Sequence, residues 1–184
     1  MFNLSRYFST VSFILIVLAA GVLGPLYQRL SLVQMQSLAE SRNVAMAQVF
    51  QKSLQAPLAS LIGDAVGRDI PSELSDDIRR LQGNVLDLMR DTAVIKVKVY
   101  NRLGSTIFST DSRQIGESRL QNPGFRAAIS GLVSSELIHR NSIDTFEGQL
   151  VEVDVLSSYI PIVGKDHSVE GVFELYQNVT PFVA

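Results

Sequence analysis

From Tyr7 to Gln28 the chain carries no charged side chain, an uninterrupted stretch of 22 residues. Wound as an α-helix at about 1.5 Å per residue, such a stretch is roughly 33 Å long, close to a bilayer hydrocarbon core of ~30 Å. Its densest part, Val11 to Leu26, contains Phe13 through Leu18 without a polar break, and Tyr7 and Tyr27 flank it where amphipathic rings suit the headgroup region. Residues 1–28 are therefore expected to form a short cytoplasmic head and a transmembrane helix.

Two other readings of the block were weighed. Val17 and Ala19 are small enough to frame a signal-peptide cleavage site, but the head holds only Arg6, the apolar run is long, and the helical pattern continues past it. A pilin-like stem would need a processing glycine before phenylalanine and a glutamate near the start of the apolar run, and both are missing. Arg6 stands on one side of the span and Arg29 and Arg42 on the other, so orientation rests on the six-residue head, which favours a cytoplasmic N-terminus.

Beyond the span, Leu32, Met35, Leu38, Met46, Val49, Phe50, Leu54, Leu58, Leu61 and Ile62 recur at threes and fours, which predicts a long amphipathic helix with one buried stripe. Pro57 should bend it, because proline lacks an N–H and crowds the carbonyl four residues back. Gly63, Gly67 and Pro71 mark a turn, after which Ser72 or Ser75 can cap a second helix running to about Arg90 with Leu74, Ile78, Leu81, Val85 and Leu88 on one side. Residues 29–92 thus form the helical part.

At Ala93 the period changes to two. Ile95, Val97 and Val99 alternate with Lys96, Lys98 and Tyr100, and the turn 101–104 returns the chain as a second strand through Thr106–Ser109. Residues 111–131 read as an irregular loop with a short helix entered at Pro123-Gly124, facing Phe125, Ala128 and Ile129 inward and ending at Gly131. Three more strands are expected at about 132–140, 149–160 and 169–176, with turns at Gly148 and Pro161-Ile162-Val163-Gly164. The fold class is α+β: a transmembrane helix continuing into a long amphipathic helix packed on a five-stranded antiparallel sheet over residues 93–177. At 178–184, Thr180 and Pro181 occupy good N-cap and N1 positions before apolar residues, so the start of a second transmembrane helix is expected there.

Several chemistries are excluded or unsupported. With no cysteine there are no disulfides, thiolate nucleophiles or zinc-thiolate sites. Sixteen basic and eighteen acidic residues leave a formal charge of −2, without the basic field that nucleic acid binding requires. No GxSxG elbow, P-loop or GxGxxG pattern occurs, and the two histidines, His139 and His167, lack metal-ligand spacing, so neither an enzyme nor a cofactor is indicated. His167, in the polar turn 164–168, reads as a solvated loop residue.

The stretches Arg42-Asn43-Val44-Ala45-Met46, Val97-Lys98-Val99-Tyr100-Asn101 running into Gly104, Ser109-Thr110-Asp111 followed by Ile115-Gly116, and Ala127-Ala128-Ile129-Ser130-Gly131 occur in a telling order. With Tyr159-Ile160-Pro161-Ile162 and Gly171-Val172-Phe173-Glu174-Leu175-Tyr176 they make most of the chain resemble the single Cache, or PDC, PAS-like sensor domains of bacterial histidine kinases, diguanylate cyclases and chemoreceptors. The resemblance implies an extracytoplasmic domain at the bacterial inner membrane that binds a small molecule, a carboxylate or amino acid, on its sheet and signals through a second membrane helix, as a homodimer. The arginine and tryptophan-tyrosine pattern of amino-acid-binding double Cache domains has no counterpart, because the chain contains no tryptophan. A rival reading is a membrane-tethered protein-interaction module without a small-molecule pocket.

For a binding site, Tyr100, Arg126, His139, Arg140 and Tyr159 are the candidates, because guanidinium and imidazole donors hold carboxylates. Lys96 and Lys98 share the face of Tyr100, and Glu152, Asp154, Glu174 and Tyr176 share a polar face of later strands. That set is read as a solvated face with cross-strand ion pairs, the alternative being a polar pocket floor.

Overall fold

The computed structural model describes residues 4–53 and 72–183, with side chains at 8, 11–23, 37–53 and 79–182. The chain divides into two compact units, Met1–Ser37 and Leu38–Ala184. Helix α1 is Leu4–Ser53. In the first unit its side chains from Phe13 to Leu18 are all more than half exposed. Among the described residues no helix is long and apolar enough to cross a membrane, so the crossing expected of Tyr7–Gln28 is not established by the fold. The bend expected at Pro57 and the turn at Gly63, Gly67 and Pro71 lie outside the described residues.

In the second unit the elements follow as α2 (Ser72–Met89), β1 (Val94–Asn101), β2 (Thr106–Ser109), a 3-10 turn (Ser112–Gln114), α3 (Pro123–Ile129), β3 (Ser134–Thr145), β4 (Gly148–Val163), β5 (Val169–Asn178) and α4 (Thr180–Val183). The five strands form one antiparallel sheet in the order β2-β1-β5-β4-β3. One face carries the core: Val97, Val99, Ile107, Phe108, Ile160, Ile162, Phe173 and Leu175 pack against Ala47 and Phe50 of α1 and Leu81, Val85 and Met89 of α2. Phe50 is fully buried, its ring 6.2 Å from that of Phe173.

The buried stripe on α1 differs from the one expected. It runs Ala39, Asn43, Ala47, Phe50, whereas Leu38 and Val49 are about half exposed. Phe50 is thus a core residue, as expected, and Val49 is not. On the same side Asn43 Nδ2 donates to Ser158 Oγ at 2.9 Å, so one polar pair pins helix to sheet.

Two strand ends also depart from expectation. Pro161-Ile162-Val163 belongs to β4, with Pro161 opposite Val172. Pairing with β3 stops at Tyr159, so β4 is an edge strand at Pro161 and a missing N–H costs no ladder bond on that side. Strand β3 runs on to Thr145, making with β4 a hairpin whose far part extends past the last β5 pairing at Val155. Glu152 within it has φ 48, a left-handed backbone that glutamate rarely adopts.

Candidate functional site

The opposite face of the sheet is polar in composition yet closed to water. Strand alternation places Lys96, Lys98 and Tyr100 of β1 on it, and pairing sets each against β5: Lys96 opposite Tyr176, Lys98 opposite Glu174, Tyr100 opposite Val172. Strand β4 extends two of these rows, with Ser157 opposite Tyr176 and Tyr159 opposite Glu174. Lys98 and Glu174 are each 1% exposed and Tyr100 is 0% exposed. For Lys96, Lys98, Tyr100, Glu174 and Tyr176 the expectation of a solvated face is therefore overturned, whereas Glu152 stays exposed.

Three coverings exclude the solvent. Helix α3 lies on the face, N-capped by Asn122, whose Oδ1 accepts from Phe125 N–H at 3.0 Å. Its buried Phe125 stacks edge-on against Tyr100 at 5.8 Å. Gly124 sits so close to Tyr159 that any Cβ there would collide with the ring. The second covering is the segment after the 3-10 turn, which is stitched to β2 where Thr106 N–H donates to Glu117 O at 2.8 Å and Arg119 N–H donates to Gly104 O at 2.7 Å. Gly104 has φ 78 and a Cβ there would strike the Leu120 backbone, so glycine is required. This stitching delivers Glu117 and Arg119 to the face. The third is the β3–β4 hairpin, whose tip reaches the far edge of the sheet, where Arg113 donates to Asp144 Oδ2 at 2.8 Å and to both oxygens of Asp111 at 2.9 and 3.0 Å. Under the arm, Val153, Val155 and Tyr176 pack with Ile95, Ile143 and Leu150.

Inside, Glu174 is surrounded by hydroxyls. Tyr100 donates to its Oε2 and Ser157 to its Oε1, the latter at 3.0 Å, and the phenols of Tyr159 and Tyr176 engage the same carboxylate. Burial, reinforced by the Glu174 charge, pushes all three phenols far above the ordinary tyrosine value, so they remain donors and cannot act as bases. The cations are less well served. Lys98 Nζ lies 3.6 Å from Glu117 Oε2, beyond a hydrogen bond, and has no hydrogen-bond partner. Arg119 Nε is likewise buried without a partner, and its nearest carboxylate contact, from Nη2 to Glu117, is 3.9 Å. Lys96 stands 3.9 Å from Asp111. Burial pulls Lys96 and Lys98 below the ordinary lysine value, against the pull of Asp111 and Glu174 respectively.

Of the five candidates from sequence, the structure brings Tyr100 and Tyr159 into this chamber and leaves three outside it. Arg126 is on the wet side of α3 and Arg140 is exposed on β3. His139 is exposed too, held by Asp154 at 2.8 Å and Glu152 at 3.3 Å. Sequence reasoning did not choose Lys98, Glu174, Tyr176, Ser157, Glu117 or Arg119. Two lysines alternating with valines were the available signal. An open groove of about 410 Å3 lies elsewhere, between α1 at Arg42 and Met46 and the start of β1 at Val94. Among the described residues no cluster of acidic and histidine side chains is arranged to hold a metal.

No family model matches the sequence. No curated protein matches it either. In fold the chain is similar to the sensor domain of the Vibrio cholerae histidine kinase DctB, at 17% identity and TM-score 0.45, over 84% of this chain and 58% of that one. It is also similar to the E. coli DcuS sensor domain, at 12% identity and TM-score 0.41, over 74% of this chain and 94% of that one. A third is the periplasmic domain of RsbU from Chlamydia trachomatis, at 14% identity and TM-score 0.37, over 78% and 56%. The chain spans little more than half the length of the DctB and RsbU structures. The first two are described as sensor domains and the third as a periplasmic domain.

Proposed function

We propose that this chain is the extracytoplasmic sensing region of a bacterial transmembrane receptor, and that it captures a small ligand bearing a carboxylate against the covered face of the sheet. The observation that carries the reading is the buried ammonium of Lys98, with the buried Nε of the part-exposed Arg119 near it, both without hydrogen-bond partners beside a row of phenol donors. A buried ammonium left unpaired is costly, and a ligand carboxylate supplies the missing acceptor. The role is binding and not turnover: the phenols are locked as donors, and Ser157 spends its proton on Glu174.

The route outward is short. Glu174 and Tyr176 stand on β5, which ends at Asn178 just before α4. A ligand moves that junction only as far as its affinities for two arrangements differ. The uncharged block Tyr7–Gln28 serves as the membrane anchor in this reading, supported by its exposed, unbroken apolar surface from Phe13 to Leu18. The exposed Leu38 and Val49 on α1 offer a second copy an apolar strip. Output in the cytoplasm follows a second span begun at Thr180-Pro181.

A thermal-shift screen with dicarboxylates, monocarboxylates and amino acids tests the proposal. At least one carboxylate should raise the melting temperature of the intact chain, and Lys98→Met should abolish that rise. Flat melting across the screen, with a periplasmic protein co-purifying, would instead favour a membrane-tethered interaction module.

A further inference from the structure

A second polar cluster lies outside the chamber, at the foot of the β3–β4 hairpin. His139 of β3 is bracketed by two carboxylates of β4, with Nδ1 2.8 Å from Asp154 Oδ1 and Nε2 3.3 Å from Glu152 Oε2. Asp154 faces the other way through its backbone. Its N–H donates to Thr180 Oγ1 at 2.9 Å, and its carbonyl accepts from Val179 N–H at 2.9 Å. Thr180, expected as an N-cap for the helix ahead of it, instead spends its hydroxyl on β4, and its own N–H donates to Asn178 Oδ1 at 3.0 Å. Val179 is buried with Leu156 of β4 and Ala39 of α1. One residue, Asp154, therefore joins an exposed imidazole to the point where β5 becomes α4.

We propose that His139, Glu152 and Asp154 form a proton-operated brace on the β5–α4 junction, making the domain responsive to pH independently of any ligand in the chamber. An imidazolium donates from both nitrogens and satisfies both carboxylates at once. A neutral imidazole has one N–H, so one carboxylate then faces a lone pair and is released. Both groups facing the ring across the strand pair are acidic. The residues flanking it on the same face of β3 are Leu137 and Asn141, and α4, which packs on β4, contributes no titratable side chain.

The sign follows. The two carboxylates hold the imidazole above its ordinary value of 6.5, Asp154 more than Glu152. The brace is complete below that value and is lost as pH rises through the elevated one. Amide hydrogen exchange on the full chain, from about pH 5 to about pH 9, reads it directly. Corrected for intrinsic base catalysis, protection at the amides of Asp154 and Val179 should fall several-fold across the titration, and His139→Gln should flatten the profile. In a His167→Gln background only one imidazole remains for proton NMR, and it should titrate above 6.5 and move down on Glu152→Gln. Wild-type protection that is flat with pH, a profile unchanged in His139→Gln, or an imidazole titrating at or below the ordinary value would each overturn the proposal.

Discussion

The two faces of the sheet are made from alternate residues of the same strands, and they solve opposite problems. On β1, Val97 and Val99 turn toward α1 and α2, and Lys96, Lys98 and Tyr100 turn toward α3. On β5, Phe173 and Leu175 oppose Glu174 and Tyr176 in the same way. Both faces are buried, so burial alone does not separate core from site. On the helical face the buried side chains are mostly apolar, the Asn43–Ser158 pair aside, and gain by leaving water, about 1.5–3 kcal/mol per large side chain. On the other face the buried groups are charged or hydroxylic, and each must find a partner to offset its lost hydration. Glu174 has found several in the chain; Lys98 and Arg119 have found none at hydrogen-bond distance.

The largest effect on this contrast should come from Phe50→Ala. The side chain is fully buried between α1 and Phe173, and its truncation should cost about 3–5 kcal/mol in denaturant unfolding. A cost below about 1 kcal/mol would mean that the helix does not seal this face. The chamber should answer in the other direction. Lys98→Met keeps the length of the side chain and removes a buried cation that has no hydrogen-bond partner and only a 3.6 Å contact to the part-exposed Glu117, so stability should stay within about 1 kcal/mol of wild type or rise, even as the carboxylate response disappears. A loss as large as that of Phe50→Ala would make Lys98 a structural ion-pair member and not a ligand group.

The helical face was legible in advance because its signals are local. The switch to period two at Ala93 and the Val97 and Val99 alternation stand as expected, and on the other face so do the inward Phe125 and Ala128 of α3. What the sequence could not show is what lies over the second face. Lys96, Lys98 and Tyr100 read as solvated because period two marks a side, and says nothing of its cover. That cover is assembled from α3, the segment carrying Glu117 and Arg119, and a hairpin tip whose Asp144 meets Arg113 from the opposite edge of the sheet. These contacts are tertiary. The same limit explains Arg126, His139 and Arg140: their chemistry suits a carboxylate, but nothing local told that α3 would turn the first and β3 the other two to water. The α1 stripe failed for another reason. Hydrophobicity ranks Leu38 and Val49 above Ala39 and Ala47, yet the small pair is the one packed with the sheet residues.

The smallest effect should appear where the hairpin tip closes the chamber, at Asp111, Arg113 and Asp144. Arg113 holds both carboxyls below the ordinary aspartate value of 3.8, in each case chiefly through its side-chain hydrogen bonds. Their contribution is therefore present above that value and lost as pH falls through the lower folded-state values. Arg113 is exposed, and exposed pairs are screened and weak, so Arg113→Gln should lower the neutral-pH melting temperature by a small fraction of the Phe50→Ala loss. The informative quantity is how that gap changes with acid. The melting curves of wild type and Arg113→Gln should converge below about pH 3.8, once both carboxylates are protonated, and also at neutral pH when salt is raised. A gap that persists in acid would show that the tip is held by packing under the arm, through Ile143, Leu150 and Val153, and that the ion pairs only decorate a closed hairpin.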